Sequence, residues 1–244
     1  PLLSAVAPRT GPPATFSAPP LEHRLDTLGR APGERPPLPP RPTLPLLPGS
    51  RRSETSRLLE IFGAMLARLV ATRGPVEAIL PAVPRLLDDI RKGVAGWPVK
   101  PEIVVGEAEK LAAFRRAHAA LAASGTVTLE LALAGVPMII AYRTDGITKM
   151  LRPVIERQWS LPLRAFGMSN LILGEKASPE YLNEDVTPER LAAAVAPLLA
   201  DTPERRAQLD AFARLEATMA VEGGSPSQRA AAMVIATASR KALP

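Results

Sequence analysis

From Thr43 onward, short apolar runs alternate with longer segments in which apolar residues recur every three and four positions. Leu44 to Leu47 is the first run and stops at Pro48-Gly49. In Ser53 to Val70, Leu58, Leu59, Phe62, Met65, Leu66 and Leu69 are spaced as one face of a helix. Val76 to Val83 reads as a strand interrupted by Pro81, and Arg85 to Val94 as a helix stopped by Ala95-Gly96. Glu102 to Val105 is a strand and Ala108 to Ala117 a helix. His118 to Ala123 is a strand, and Val127 to Ala134 a helix ending at Gly135-Val136-Pro137. Pro137 to Tyr142 is a strand with Pro at its first residue, where the missing donor is tolerated. This alternation predicts an α/β fold with a Rossmann-like, doubly wound parallel sheet and flanking helices.

Beyond the sheet the pattern is helical. Thr187-Pro188-Glu189 and Thr202-Pro203-Glu204 each put a capping Thr before Pro at the first helical position. Ser225-Pro226-Ser227-Gln228 has capping-box spacing. The opposite end differs: residues 1 to 48 hold half of the 28 prolines and five arginines, which suits neither a sheet ladder nor a helix. Three parts are therefore expected. Residues 1–42 form a linker or irregular arm, 43–185 a Rossmann-like domain, and 186–244 helices packing on it or on a second domain.

Composition narrows the chemistry. The 244 residues are 46% hydrophobic, enough for a sizeable core, and carry a net charge of +6. Such a balance favours anionic partners. Aromatics at 4% argue against a base-stacking nucleic-acid platform. No Cys is present, and the two histidines, His23 and His118, lack ligand spacing, so neither a thiol nor a His-rich metal site is expected. Residues 117 to 142 carry only Glu130 as a formal charge, but Ser124, Gly125, Thr126, Gly135 and Pro137 divide them too finely for a membrane span. The chain begins at Pro1 without Met or a signal-type segment and reads as a piece of something longer.

The chemistry concentrates where an apolar strand breaks into Ser124-Gly125-Thr126 and re-enters as a helix. Backbone N–H groups at such a start suit a phosphate. Glu130 lies one turn past Thr126 on the same face, where a carboxylate can accept hydrogen bonds from a ribose diol. The alternative is an ordinary connection with a solvated Glu. Pro48-Gly49-Ser50-Arg51 closes the first strand and puts a guanidinium at a helix start, suited to a diphosphate or simply solvated. Asn170 reads as a sugar or base contact or a turn residue, and Glu184 as a site carboxylate or charge before a helix.

The order of these segments carries a resemblance. Leu47 to Arg51, Gly106 to Lys110, Ala122 to Thr126 with Leu129-Glu130, and Gly135 to Arg143 follow one another. Asn170 to Gly174, Leu182 to Asp185 and a Thr-Pro-Glu helix come next. The ordered set, over roughly residues 43 to 220, resembles the lipid-A-disaccharide synthase family, glycosyltransferases of lipid A and lipopolysaccharide biosynthesis. The resemblance implies the C-terminal, nucleotide-binding half of a GT-B fold. It implies transfer of 2,3-diacylglucosamine from UDP to 2,3-diacylglucosamine 1-phosphate (lipid X), with release of UDP. Arg51 would neutralise the leaving diphosphate, Ser124, Gly125 and Thr126 would cradle phosphate, and Glu130 would hold the ribose. Asn170 and Glu184 match remaining family segments as substrate-binding positions. No cofactor, metal or nucleic acid is implied, and a homodimer is left open.

The acid/base carboxylates of the family belong to its other half, so this chain alone is expected to be inactive. Met168-Ser169-Asn170 stands where the family usually has Leu-Pro-Asn, and Asn183 where it often has Gln. Residues 1 to 42 are richer in Pro and Arg than the family's interdomain stretch. Two other classes remain: another UDP-sugar GT-B enzyme (an N-acetylglucosaminyltransferase or an epimerase), and a basic nucleic-acid-binding or interaction protein. Tyr142-Arg143 and Asn170-Leu171 favour the lipid A reading over the first.

Ile147, Met150, Leu151, Val154 and Ile155 form an apolar stripe interleaved with Lys149, Arg152 and Arg157, and Trp159 follows. Such a segment suits the headgroup region of an anionic membrane, and the resemblance then implies peripheral contact with the cytoplasmic face of the inner membrane of a Gram-negative bacterium. The alternative is a core-facing helix interrupted by Pro153.

Overall fold

The computed structural model describes residues 37–143 and 167–219, with isolated helical positions at 232 and 235. Most of the Pro/Arg-rich arm, the apolar stripe from Ile147 to Ile155 and the cap at Ser225 to Gln228 lie outside the described residues.

Six strands form one parallel sheet: β1 Thr43–Leu47, β2 Glu77–Ala82, β3 Glu102–Val105, β4 Ala120–Ala123, β5 Met138–Tyr142 and β6 Glu180–Leu182. Their spatial order is β3-β2-β1-β4-β5-β6, with every pairing parallel. The helices are α1 Arg52–Arg73, α2 Leu87–Val94, α3 Glu107–Arg116, α4 Val127–Leu133, α5 Met168–Leu173, α6 Pro188–Leu198 and α7 Pro203–Met219. The expected α/β doubly wound sheet is therefore present. Among the described residues no helix is long and apolar enough to cross a membrane.

The period-2 pattern of the strands sorts the core into two layers. Leu46, Leu121, Ala123, Ile139 and Ala141 face one side, where α1, α2 and α6 pack over them. Leu47, Ala120, Ala122, Met138 and Ile140 face the other, under Leu111 and Phe114 of α3, Leu129 of α4 and Phe212 and Leu215 of α7. Strands buried on both faces read as continuous apolar runs, which is why β4 and β5 are almost free of polar residues.

Boundaries move where capping or tertiary contacts override the local pattern. The α1 helix runs three residues past Val70, because Gly74 accepts φ 105° and its N–H closes on Val70 O. His118 and Ala119 precede β4 instead of belonging to it. His118 is buried and accepts the Thr43 N–H at Nδ1 (3.0 Å), so its Nε2, 3.2 Å from Pro37 O, carries the ring proton. Asn170, for which a turn residue was one reading, lies in helix α5, which ends at Gly174 with φ 70°. The sequence pattern gives no hint of β6, which has three residues and pairs with the outer edge of β5.

Thr187 and Thr202 cap as expected. Their Oγ1 atoms accept the N–H of Arg190 and Arg205 at 3.3 and 3.2 Å. Arg205 is buried; it donates to His118 O and, at 2.6 Å, to Leu198 O. Burial lowers its pKa, opposed by the nearby Asp201 carboxylate. Gln208 accepts the Met138 N–H at 2.8 Å. These two α7 side chains fasten the helix to the starts of β4 and β5.

Candidate functional site

The chain moves outward from β1 to β2 and β3, then crosses back to β4 on the other side of β1. At this reversal neighbouring connections leave on opposite faces, and a crevice opens at the carboxyl ends of the strands. It measures about 320 Å³ and is lined by the strand ends Leu47, Ala82 and Ala123 and by the turns that follow. Ser124, Gly125, Thr126 and Glu130 all line it, as do Gly49, Ser50, Glu54, Gly106, Glu107 and Lys110.

Two glycines shape the turns. Gly49 has φ 107° and Gly106 φ 117°, in the half of conformational space that side chains disfavour. A Cβ on Gly49 would stand 2.6 Å from Glu54 Oε2, and one on Gly106 would stand 2.2 Å from Glu109 Oε2. The chain can therefore reverse tightly at both strand ends without filling the crevice.

The Ser-Gly-Thr turn leads straight into α4. Thr126 is its N-cap, and the Glu130 N–H bonds to Thr126 O at 3.2 Å, which places the Glu one turn inside the helix. The Thr128 hydroxyl closes the turn by donating to Gly125 O at 2.8 Å and receives the Met168 N–H at 3.1 Å. With seven residues, α4 carries only a short dipole, so what its start offers an anion is mainly its local N–H groups.

Glu130 is buried, with 7% of its surface exposed. Its Oε2 accepts from Lys110 Nζ at 2.7 Å, and the same ammonium meets Glu107 Oε1 at 3.0 Å. Lys110 lay within the Gly106 to Lys110 segment, but nothing in the sequence distinguished it as a site residue. Its partner is 20 positions away across the β3-to-β4 crossover.

Arg51 is the N-cap of α1 and directly follows Gly49 and Ser50, which line the crevice, without lining it itself. Its guanidinium donates to Glu54 Oε1 at 2.8 Å, with the arginine side chain 76% exposed. An ion pair that open contributes about 0–1 kcal/mol. A bidentate diphosphate contact would outweigh it, so Arg51 can exchange partners when an anion arrives. Arg85 ties the two sides of the rim together by donating to Ser50 O at 2.8 Å.

Three expected positions, Arg51, Asn170 and Glu184, are not among the residues lining the crevice. Asn170 is 1% exposed and does not line the crevice. Its Nδ2 donates to Ser178 O at 2.7 Å and Glu180 Oε1 at 2.8 Å, and its Oδ1 accepts the Ser178 N–H at 2.9 Å. The amide is engaged in closing the α5–β6 connection. Glu184 is exposed in the 3-10 turn Asn183–Asp185 after β6, at the carboxyl end of the sheet but outside the crevice lining. Its neighbour Asn183 adopts φ 48°, a left-handed conformation that Asn tolerates well. Among the described residues no group of three or more His, Asp or Glu side chains is arranged to hold a metal ion.

Known structures share this architecture. A spinosyn rhamnosyltransferase solved with spinosyn aglycone superposes with a TM-score of 0.56 at 13% identity, over 94% of this chain and 55% of the other. The calicheamicin glycosyltransferase CalG4 gives a TM-score of 0.50 at 20% identity, over 87% of this chain and 46% of the other. At that identity the likeness is one of fold, that of one half of a GT-B glycosyltransferase. Sequence relatives are much nearer. A lipid-A-disaccharide synthase of Bradyrhizobium diazoefficiens is 47% identical over 93% of this chain and 57% of its own length. One of Rhodopseudomonas palustris is 46% identical over 92% and 56%. The chain thus spans little more than half the length of these curated relatives. The family model described as lipid-A-disaccharide synthetase matches residues 37–234, across the whole sheet and both turns of the crevice, and the chain belongs to that family.

Proposed function

We propose that the protein to which this chain belongs transfers 2,3-diacylglucosamine from UDP to 2,3-diacylglucosamine 1-phosphate, forming the lipid A disaccharide and releasing UDP. The observation that carries this reading is the crevice at the β1/β4 reversal, where Ser124, Gly125, Thr126 and Glu130 of a family member line one wall. In it the turn receives phosphate, Glu130 receives the ribose hydroxyls, and Arg51 leaves Glu54 to meet the diphosphate. Countering the charge that builds on departing UDP lowers the barrier, because a preorganised cation need not reorient in the transition state. Proton transfer at the acceptor hydroxyl belongs to the family's other half, so this portion binds donor without turning it over.

The test is a titration of UDP into the full-length protein by calorimetry, paired with an assay of disaccharide formation from the two acylated sugars. UDP binding and disaccharide formation are expected. A folded full-length protein that neither takes up heat at millimolar UDP nor forms disaccharide would refute the reading.

The same reading places the protein peripherally on the cytoplasmic face of the inner membrane, where acylated sugars reside. Its support is the net charge of +6 and the basic apolar stripe from Ile147 to Ile155 in the sequence. Sedimentation with anionic vesicles is expected to pellet the protein at low salt, and less of it when Met150 and Leu151 are changed to Ser. Equal recovery of a folded variant and the parent would return the stripe to a packing role.

A further inference from the structure

Glu130 and its partner come from different elements. Lys110 sits on α3 and Glu130 on α4, and the 2.7 Å contact between them bridges two consecutive crossovers at the crevice wall. The ammonium is fixed from several directions. Glu107, one turn earlier in α3, holds it at 3.0 Å, and the ring centroid of the fully buried Phe114 lies 5.9 Å away. The Lys110 side chain is 19% exposed and that of Glu130 9%. Lys110 is also the only cation among the described residues lining the crevice.

Two roles are open to such a cation: to touch phosphate itself, or to hold Glu130. The geometry separates them. A carboxylate at a desolvated wall needs compensating charge, because an unpaired buried ion carries a penalty of several kcal/mol. Swinging Lys110 toward an anion would strip Glu130 of that compensation and break the Glu107 contact as well. Leaving Lys110 in place keeps both, and an ionised carboxylate has about four acceptor sites, so a pinned Oε2 still permits hydrogen bonds from a diol.

We infer that Lys110 is a positioning residue: it holds the carboxylate of Glu130 in place and aimed at the ribose, while phosphate is met by the Ser-Gly-Thr turn and Arg51. This rests on reading the crevice as a nucleotide-sugar site. Glu107 in turn anchors Lys110, so three residues from two helices set the sugar end of the site.

The test compares UDP with 2′-deoxy-UDP by calorimetry on the full-length protein, in the parent and in Lys110→Met, Lys110→Arg, Glu107→Gln and Glu130→Gln. A hydrogen bond to a charged acceptor supports a preference for UDP of about tenfold or more in the parent. Lys110→Met is expected to cut that preference to about two- or threefold, as Glu130→Gln does, while Lys110→Arg retains most of it. If Lys110→Met does not fold, Glu107→Gln at its half-exposed position decides: a reduced preference supports the role and an unchanged one overturns it. A folded Lys110→Met protein that keeps the full preference overturns it too. So does one that loses inorganic pyrophosphate binding with the preference intact, because Lys110 would then touch phosphate directly. Absence of UDP binding in the parent would instead strike at the site itself.

Discussion

Replacing Asn170 by Ala distinguishes a residue that meets substrate from one that closes a connection. Its side chain makes three hydrogen bonds, to Ser178 O, Glu180 Oε1 and the Ser178 N–H, at 2.7, 2.8 and 2.9 Å. Asn170 is 1% and Ser178 0% exposed, so water does not replace the lost partners without opening the turn. One hydrogen bond contributes about 0.5–1.5 kcal/mol net, and a buried donor left unpaired costs about 1–3 kcal/mol. The Ser178 N–H and carbonyl are both orphaned, whereas Glu180 keeps the Gly167 N–H at 2.9 Å. The loss therefore comes to about 3 kcal/mol, which for a domain of this size lowers Tm by about 6–12 °C. Differential scanning calorimetry of the full-length protein measures it, and a parallel UDP titration is expected to change less than about twofold, since Asn170 does not line the crevice. Asn170→Asp, which sets a second carboxylate against Glu180, is expected to be at least as unstable. A Tm within about 2 °C of the parent, together with a tenfold loss of UDP affinity, would refute the reasoning.

Other outcomes follow from the same geometry. Under the proposed function, Arg51→Ala in the full-length protein is expected to lower turnover by about 10²–10³ if Arg51 meets the leaving diphosphate, with stability changed by less than about 1 kcal/mol; near-parental kinetics would return Arg51 to a solvated cap. Glu130→Ala is expected to weaken donor binding and also to destabilise by about 1–3 kcal/mol, because Lys110 loses its more buried partner, which chemical denaturation would detect. Ser169→Ala is expected to be neutral or to stabilise by up to about 1 kcal/mol, since the hydroxyl is buried with no hydrogen-bond partner among the described residues; a clear loss in the same denaturation assay would contradict this.

Much of this fold is legible in the sequence because its strands are buried on both faces. Such strands appear as apolar runs, and the helices between them show their own period, so the existence of β1 to β5 follows from pattern, whereas their spatial order in the sheet does not. What fails does so for lack of length or of local signal. Glu180-Tyr181-Leu182 is too short and too polar to register as a strand, and it exists because β5 offers an edge to pair with. His118 looks like the polar start of a strand, but its ring serves the Thr43 N–H, a partner 75 residues away.

The site divides along the same line. Two of the turns that form it announce themselves, because Gly49 and the Ser-Gly-Thr turn answer to local backbone demands at strand ends. The pairings that tune it do not. Asn170 and Glu184 were singled out by their place in an ordered set of motifs, and order says nothing of which side chain a fold turns inward. Asn170 faces a buried connection and Glu184 lies outside the crevice lining. Lys110, in contrast, has no distinguishing neighbours in sequence. It matters through a 2.7 Å contact made only because the chain crosses back over β1 between β3 and β4. The crossover that opens the crevice also delivers the cation that partners its buried carboxylate, so the charge balance of the site is a property of topology and is read only once the sheet order is known.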